Sequence, residues 1–97
     1  MKKIDQIIAD DITLVITSDF CPEQYDAFLG KLRVGYLRLR HSHFTVECPY
    51  LGKGSSLVYS VPTHGDGCFN PEERDPQLHA AKKSIASWLN ETFQIGV

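Results

Sequence analysis

Val34-Gly35-Tyr36-Leu37-Arg38-Leu39-Arg40-His41-Ser42-His43-Phe44-Thr45-Val46-Glu47-Cys48 is the stretch that decides the fold class. Side chains of an extended strand alternate between two faces, so Leu37 and Leu39 share one face while Tyr36, Arg38 and Arg40 share the other. Beyond His43 the apolar positions change parity to Phe44, Val46 and Cys48, and a change of parity requires a turn or a bulge. His41-Ser42-His43 is the place for it. The reading predicts two antiparallel strands, or one strand broken by a bulge, between Val34 and Tyr50.

Toward the C-terminus, Leu51-Gly52-Lys53-Gly54-Ser55 reads as a turn, and Leu57, Tyr59 and Val61 alternate in a further strand that stops at Pro62. His64-Gly65-Asp66-Gly67 reads as a loop. Asn70-Pro71-Glu72-Glu73 has the Asn cap, first-turn Pro and third-position Glu of a capping box, which predicts a single helical turn. Asp75-Pro76 repeats the signal, and a residue before proline avoids the helical region. The long helix is therefore expected to restart at Pro76 and run to about Thr92, with Leu78, Ala81, Ile85, Trp88, Leu89 and Phe93 as its apolar stripe.

Toward the N-terminus, Tyr25, Phe28, Leu29 and Leu32 fall at i, i+3, i+4 and i+7 after Pro22, which predicts a helix ended by Gly30. Ile12-Thr13-Leu14-Val15-Ile16-Thr17 has period two and predicts a strand covered on both faces. Ile4, Ile7 and Ile8 predict a short helix over Lys3–Ala9. Together these elements make a single α+β domain over residues 1–97: an antiparallel sheet of three to four strands packed by a long C-terminal helix and one or two shorter N-terminal helices. One sheet face is left uncovered.

The predicted order of helix, three strands and long helix over residues 22–93 resembles that of a double-stranded-RNA-binding domain, with Phe44-Thr45-Val46-Glu47 at the place of the middle strand. The resemblance is one of element order. Pro76-Gln77-Leu78-His79 stands where those domains carry a lysine cluster, and the N-terminal helix and strand have no counterpart in them.

The chain has 97 residues, 42% of them hydrophobic and 23% charged, a globular composition, and its formal net charge of −2 excludes a uniformly basic surface. The charge is unevenly spread. Residues 1–30 hold Lys2 and Lys3 against Asp5, Asp10, Asp11, Asp19, Glu23 and Asp26, while residues 31–53 hold Lys31, Arg33, Arg38, Arg40 and Lys53 against Glu47. No apolar run approaches the roughly 20 residues that span a bilayer. Asp5, Asp10 and Asp11 interrupt any secretory leader after Met1-Lys2-Lys3. Cys21, Cys48 and Cys68 are an odd, widely spaced set without a CxxC pair, so a disulfide framework is not expected and a reducing cytoplasm is.

Tyr36, Arg38, Arg40, Lys31 and Arg33 form the candidate partner-binding surface. An aromatic ring beside guanidinium groups suits phosphate, a stacked base or an aromatic partner, although exposed strands also carry Arg and Lys simply to stay soluble and block edge pairing. A protein with an acidic patch fits better than nucleic acid, because the acidic remainder of the chain repels phosphate. The small core and the acidic N-terminal part make a homodimer a further candidate.

Other constellations are weaker. His41 and His43 would face the same way only on an unbroken strand, and Cys48, His64, Cys68 and His79 lack metal-ligand spacing. Cys68 beside His64 admits a thiolate nucleophile with an imidazole base, without a catalytic signature around it. Asp66, Cys68, Asn70 and Glu72 depart from a calcium loop at Cys68 and Pro71, and Gly52-Lys53-Gly54 and Gly65-Asp66-Gly67 are too short to cradle phosphate. No cofactor is indicated. The sequence thus points to a small non-catalytic binding protein acting on another protein, with a nucleic-acid-binding module as the alternative and a zinc- or thiol-dependent enzyme as the second.

Overall fold

A computed structural model describes residues 6–18, 21–49 and 54–93. Five strands, β1 (Ile12–Ser18), β2 (Gln24–Leu29), β3 (Leu32–Arg40), β4 (His43–Cys48) and β5 (Ser56–Pro62), pair in chain order as an antiparallel meander, and one helix, α1 (Pro71–Phe93), follows. The α+β class holds. The sheet has five strands rather than three to four, and the described residues contain no N-terminal α-helix.

The extra strand is β2, where a helix was expected. Its helical spacing was a coincidence: Tyr25, Ala27 and Leu29 alternate equally well, and Leu32 lies beyond the turn. Leu29 pairs with Leu32, so only Gly30 and Lys31 connect the strands, and Gly30 takes the left-handed φ of 62° that the first position of a type II′ turn requires. That tight hairpin pairs β2 with β3 along its length, with one irregularity between Ala27 and Phe28. With it falls the element order behind the likeness to an RNA-binding domain. The β3–β4 turn lies where the change of parity placed it, and His41 and Ser42 both take left-handed φ, 55° and 58°, as a two-residue type I′ turn demands.

The N-terminal helix expected over Lys3–Ala9 falls partly outside the described residues. Within them Ile8 is extended, and a single 3-10 turn over Ala9–Asp11 follows, its Asp11 carboxylate accepting the Ile8 N–H at 2.9 Å. So short an apolar run cannot offset the entropy of nucleating a helix. The segment is held instead by α1: the Asn90 side-chain amide accepts the Ile7 N–H at 3.0 Å and donates to the Ile7 carbonyl at 2.8 Å.

β1 is an edge strand, which corrects the expectation that both its faces are covered; Ile12 is buried, but Thr13, Val15, Ile16 and Thr17 are exposed. In β5 a bulge at Val58 separates the Val46–Tyr59 and Glu47–Leu57 pairs. Leu57 consequently turns away from the face that carries Tyr59 and Val61.

α1 begins at Pro71 and passes unbroken through Pro76, rather than restarting there. Half of the capping box forms, with the Asn70 N–H donating to Glu73 Oε2 at 3.0 Å, while the Glu73 N–H donates to the Asn70 backbone carbonyl rather than to its side chain. The same carboxylate accepts the His64 and Gly65 N–H groups, and the Asn70 bond foremost holds it below the ordinary carboxyl range. Pro76 forfeits one backbone bond to the carbonyl of Glu72, which is exposed and reaches water.

The stripe of α1 packs Ala81, Ile85, Ala86 and Leu89 onto Tyr25, Ala27, Leu37, Leu39, Phe44, Val46 and Cys48 of the sheet. Gly35 lies beneath the helix, where a Cβ would come within 3.3 Å of Ile85 Cδ1. Phe69 stands edge-on to Phe44, ring centroids 4.9 Å apart, and Trp88 is half-buried at the margin. No helix of the described residues is long and apolar enough to cross a membrane.

Candidate functional site

α1 covers one face of the sheet, and cross-strand register sets out what the other face presents. Val15, Asp26, Tyr36, Glu47 and Leu57 form a row across all five strands, each paired with the next. Gln24, Arg38, Thr45 and Ser60 form the adjacent row, and Arg40, His43 and Pro62 the one beyond. On the other side of the first row Thr13, Phe28 and Arg33 are paired.

Tyr36, Arg38 and Arg40 therefore share a face, as alternation required, and β3 holds them at the middle of the sheet. The ring is no open platform, however: Tyr36 is 9% exposed, its hydroxyl donates to Gln24 Oε1 at 2.8 Å, and the Arg38 guanidinium lies 6.0 Å from the ring centroid. So little of the ring is exposed that it offers a base no surface to stack on. Arg40, at the strand's end, lines a surface concavity with Cys21, Pro22, His41, Asp66 and Gly67.

Lys31 and Arg33 lie at the opposite end of β3, five or more residues from Arg38, which at about 3.3 Å per residue is roughly 16 Å or more away. Lys31 is in the exposed β2–β3 turn. Arg33 stands over the Phe28 ring at 6.0 Å and reaches Asp26 Oδ2 at 3.7 Å. The five residues thus make two basic ends separated by an acidic middle, since Asp26 and Glu47 flank Tyr36 on the neighbouring strands. Asp26, Glu47 and Phe28 belong to this surface and were missed. Only the pairing of β2 and β4 with β3 reveals them, and the helical reading of Tyr25–Leu32 hid the first.

The histidine and cysteine constellations disperse. His41 is in the β3–β4 turn; His43 opens β4 with Nε2 2.6 Å from the Ser60 hydroxyl. Among the described residues no cluster of three or more His, Cys, Asp or Glu could hold a metal ion. Cys68 is bonded to Cys21 as a disulfide across 47 residues. That corrects both the expectation of no disulfide and the thiolate role for Cys68: wide spacing along the chain does not prevent contact once the β1–β2 loop and the loop before α1 meet at one end of the sheet. Cys48 is the free buried cysteine, and burial pushes its thiol up to about 12, so it offers no nucleophile.

Beside the disulfide lies a second feature that sequence reading did not find. Glu23 is 3% exposed, and Oε1 accepts the Phe69 N–H at 2.8 Å and Arg74 Nη2 at 2.8 Å, while Oε2 accepts the Tyr25 hydroxyl at 2.6 Å and Arg74 Nε at 3.2 Å. Its backbone N–H donates to the Gly67 carbonyl and its carbonyl accepts from Leu39. Every polar atom of the carboxylate is satisfied, which identifies it as a clasp rather than a reactive group. The clasp ties the loop before α1 to the sheet through Gly67 and Phe69.

Comparison of the chain with protein-family models, with curated proteins and with solved structures finds no match to any of the three.

Proposed function

We propose that this chain is a small non-catalytic binding protein that docks on another protein through the uncovered face of its sheet, centred on Tyr36, Arg38 and Arg40. The observation that carries the reading is the row Val15–Asp26–Tyr36–Glu47–Leu57, apolar at both ends and acidic around a covered tyrosine, with arginines in the rows on either side. A surface of mixed sign that also exposes Val15 and Leu57 suits a protein partner of complementary charge pattern. Phosphate at Arg33 or Arg38 would meet Asp26 or Glu47 on the neighbouring strands, and a base would meet a ring that is almost wholly buried. The nucleic-acid reading is therefore the second one.

The test pairs two measurements on the wild type and the Arg38→Glu/Arg40→Glu variant. Affinity capture from the source cells is expected to give a stoichiometric protein complex that the variant loses while keeping its circular dichroism. Anisotropy titrations with single- and double-stranded nucleic acid at low salt are expected to show no binding; salt-sensitive binding lost in the variant would replace this reading with the second.

A cytoplasmic location is part of the proposal and has its own check. The Cys21–Cys68 bond bears against it, since a reducing thiol pool keeps such cysteines reduced, and a cytoplasmic protein would be labelled at both cysteines by alkylation of intact cells before lysis. A bond that survives unlabelled places the protein in an oxidising compartment instead.

A further inference from the structure

A sheet edge displays a row of unpaired N–H and C=O groups, and proteins that remain monomeric guard it with Lys, Pro, a bulge or a very short strand. The two edges of this meander differ in that respect. β5 has the bulge at Val58 and Pro62 at its end. β1 pairs with β2 on one side, and no described strand lies along the other. Its sequence from Ile12 to Thr17, Ile-Thr-Leu-Val-Ile-Thr, has no charge and no proline, and its register with β2 is regular over the five residues Ile12 to Ile16 and shifts only at the strand's end, between Ile16 and Ser18.

The side chains at that edge are equally unguarded. Val15 is 47% and Ile16 48% exposed, one on each face of the sheet, with Thr13 and Thr17 exposed beside them. A strand laid along β1 covers both faces at once. β-branched residues of this kind are also the ones that pack best across a strand pair.

We propose that β1 is the seam of a symmetric homodimer, in which the Ile12–Ile16 segments of two copies pair antiparallel and join two five-stranded sheets into one of ten strands. The occupant is a second copy because this strand is its own complement. Antiparallel pairing about a twofold axis at Leu14 or Val15 keeps Val15 and the threonines of both copies on one face and Leu14 and Ile16 on the other. The strand brings no charge to the seam. On the α1 side, a groove lined by Leu14, Leu78, His79 and Lys82 together with Asp10 and Asp75 runs beside the first half of the same edge. The seam shares only Thr13 and Val15 with the margin of the open face, and Ile16→Lys, on the other face, tests it apart from the partner proposed above.

Sedimentation equilibrium of the full chain tests it beside Ile16→Lys and Val15→Lys, two substitutions at exposed positions that leave the core untouched. The wild type is expected to be a dimer that dissociates on dilution, and each lysine to weaken it by about tenfold or more with circular dichroism and cooperative unfolding retained. Hydrogen exchange supplies the location: amides within Ile12–Ile16 gain protection as concentration rises. A wild type that stays monomeric up to the sub-millimolar range overturns the proposal. So does a dimer that both lysines leave intact, or one whose formation leaves the β1 amides unprotected.

Discussion

Replacing Cys21 and Cys68 together by alanine is expected to lower the stability of the fold by about 4 kcal/mol, the chain-entropy value for a loop of this length. For a domain of this size that is a fall in melting temperature of roughly 15–30 °C. The bond joins residues 47 apart, so breaking it frees nearly half the chain in the unfolded state. Native contacts at the site persist without it, because Glu23 still ties its backbone to Gly67 and its carboxylate to Phe69. Calorimetry with and without a phosphine reductant separates the bond from the side chains: reduction should lower the wild-type transition to that of the double variant and leave the variant unmoved. A wild-type transition insensitive to reduction rules out a stabilising role for the bond.

The second large effect is at Arg74. Arg74→Met leaves the Glu23 carboxylate buried with only Tyr25 and Phe69 as donors, and removing one partner of a buried pair costs about 3–5 kcal/mol. Because the Arg74 side chain is 39% exposed, water reaches the vacated side, and about 2–3 kcal/mol is the expected loss in urea unfolding.

The pH dependence follows from the same group. Burial raises the Glu23 carboxyl, but the hydrogen bonds from Arg74, Tyr25 and Phe69 outweigh it and leave it below its ordinary 4.5. Stability from this carboxylate is therefore present above pH 4.5 and is lost as pH falls through the folded value. The gap between wild type and Glu23→Gln should close on acidification. On the alkaline side, burial and the bond to Glu23 push the Tyr25 hydroxyl up to about 12 from 10.0, so its contribution is full below pH 10 and disappears toward pH 12. Tyr25→Phe should lack that alkaline limb.

Which parts of the molecule were legible in the sequence follows from how local their physics is. The β3–β4 hairpin, β5 and the apolar stripe of α1 were readable because each depends on residues a few positions apart, and the Asn70–Glu73 capping box is local by construction. β2 was misread because Tyr25, Phe28, Leu29 and Leu32 satisfy helical spacing, while the deciding fact, the two-residue link at Gly30, acts through pairing with β3. Pro76 looked like a helix start because its signal is local, whereas the packing of Ala81, Ile85 and Leu89 carries the helix through it. The arginine-bearing face was legible from alternation alone. Its acidic middle, the Glu23 clasp and the disulfide were not, since each joins residues from strands or loops far apart in the chain.

The grip of Asn90 on both backbone groups of Ile7 closes the described part of the polypeptide into a ring, with its first and last segments meeting at one corner. Continuity of the backbone is then a matter of order rather than of architecture. A linker across that corner with new ends opened at Gly30–Lys31 cuts no strand, and it would turn the present first strand into an internal one in sequence while leaving it at the same edge in space.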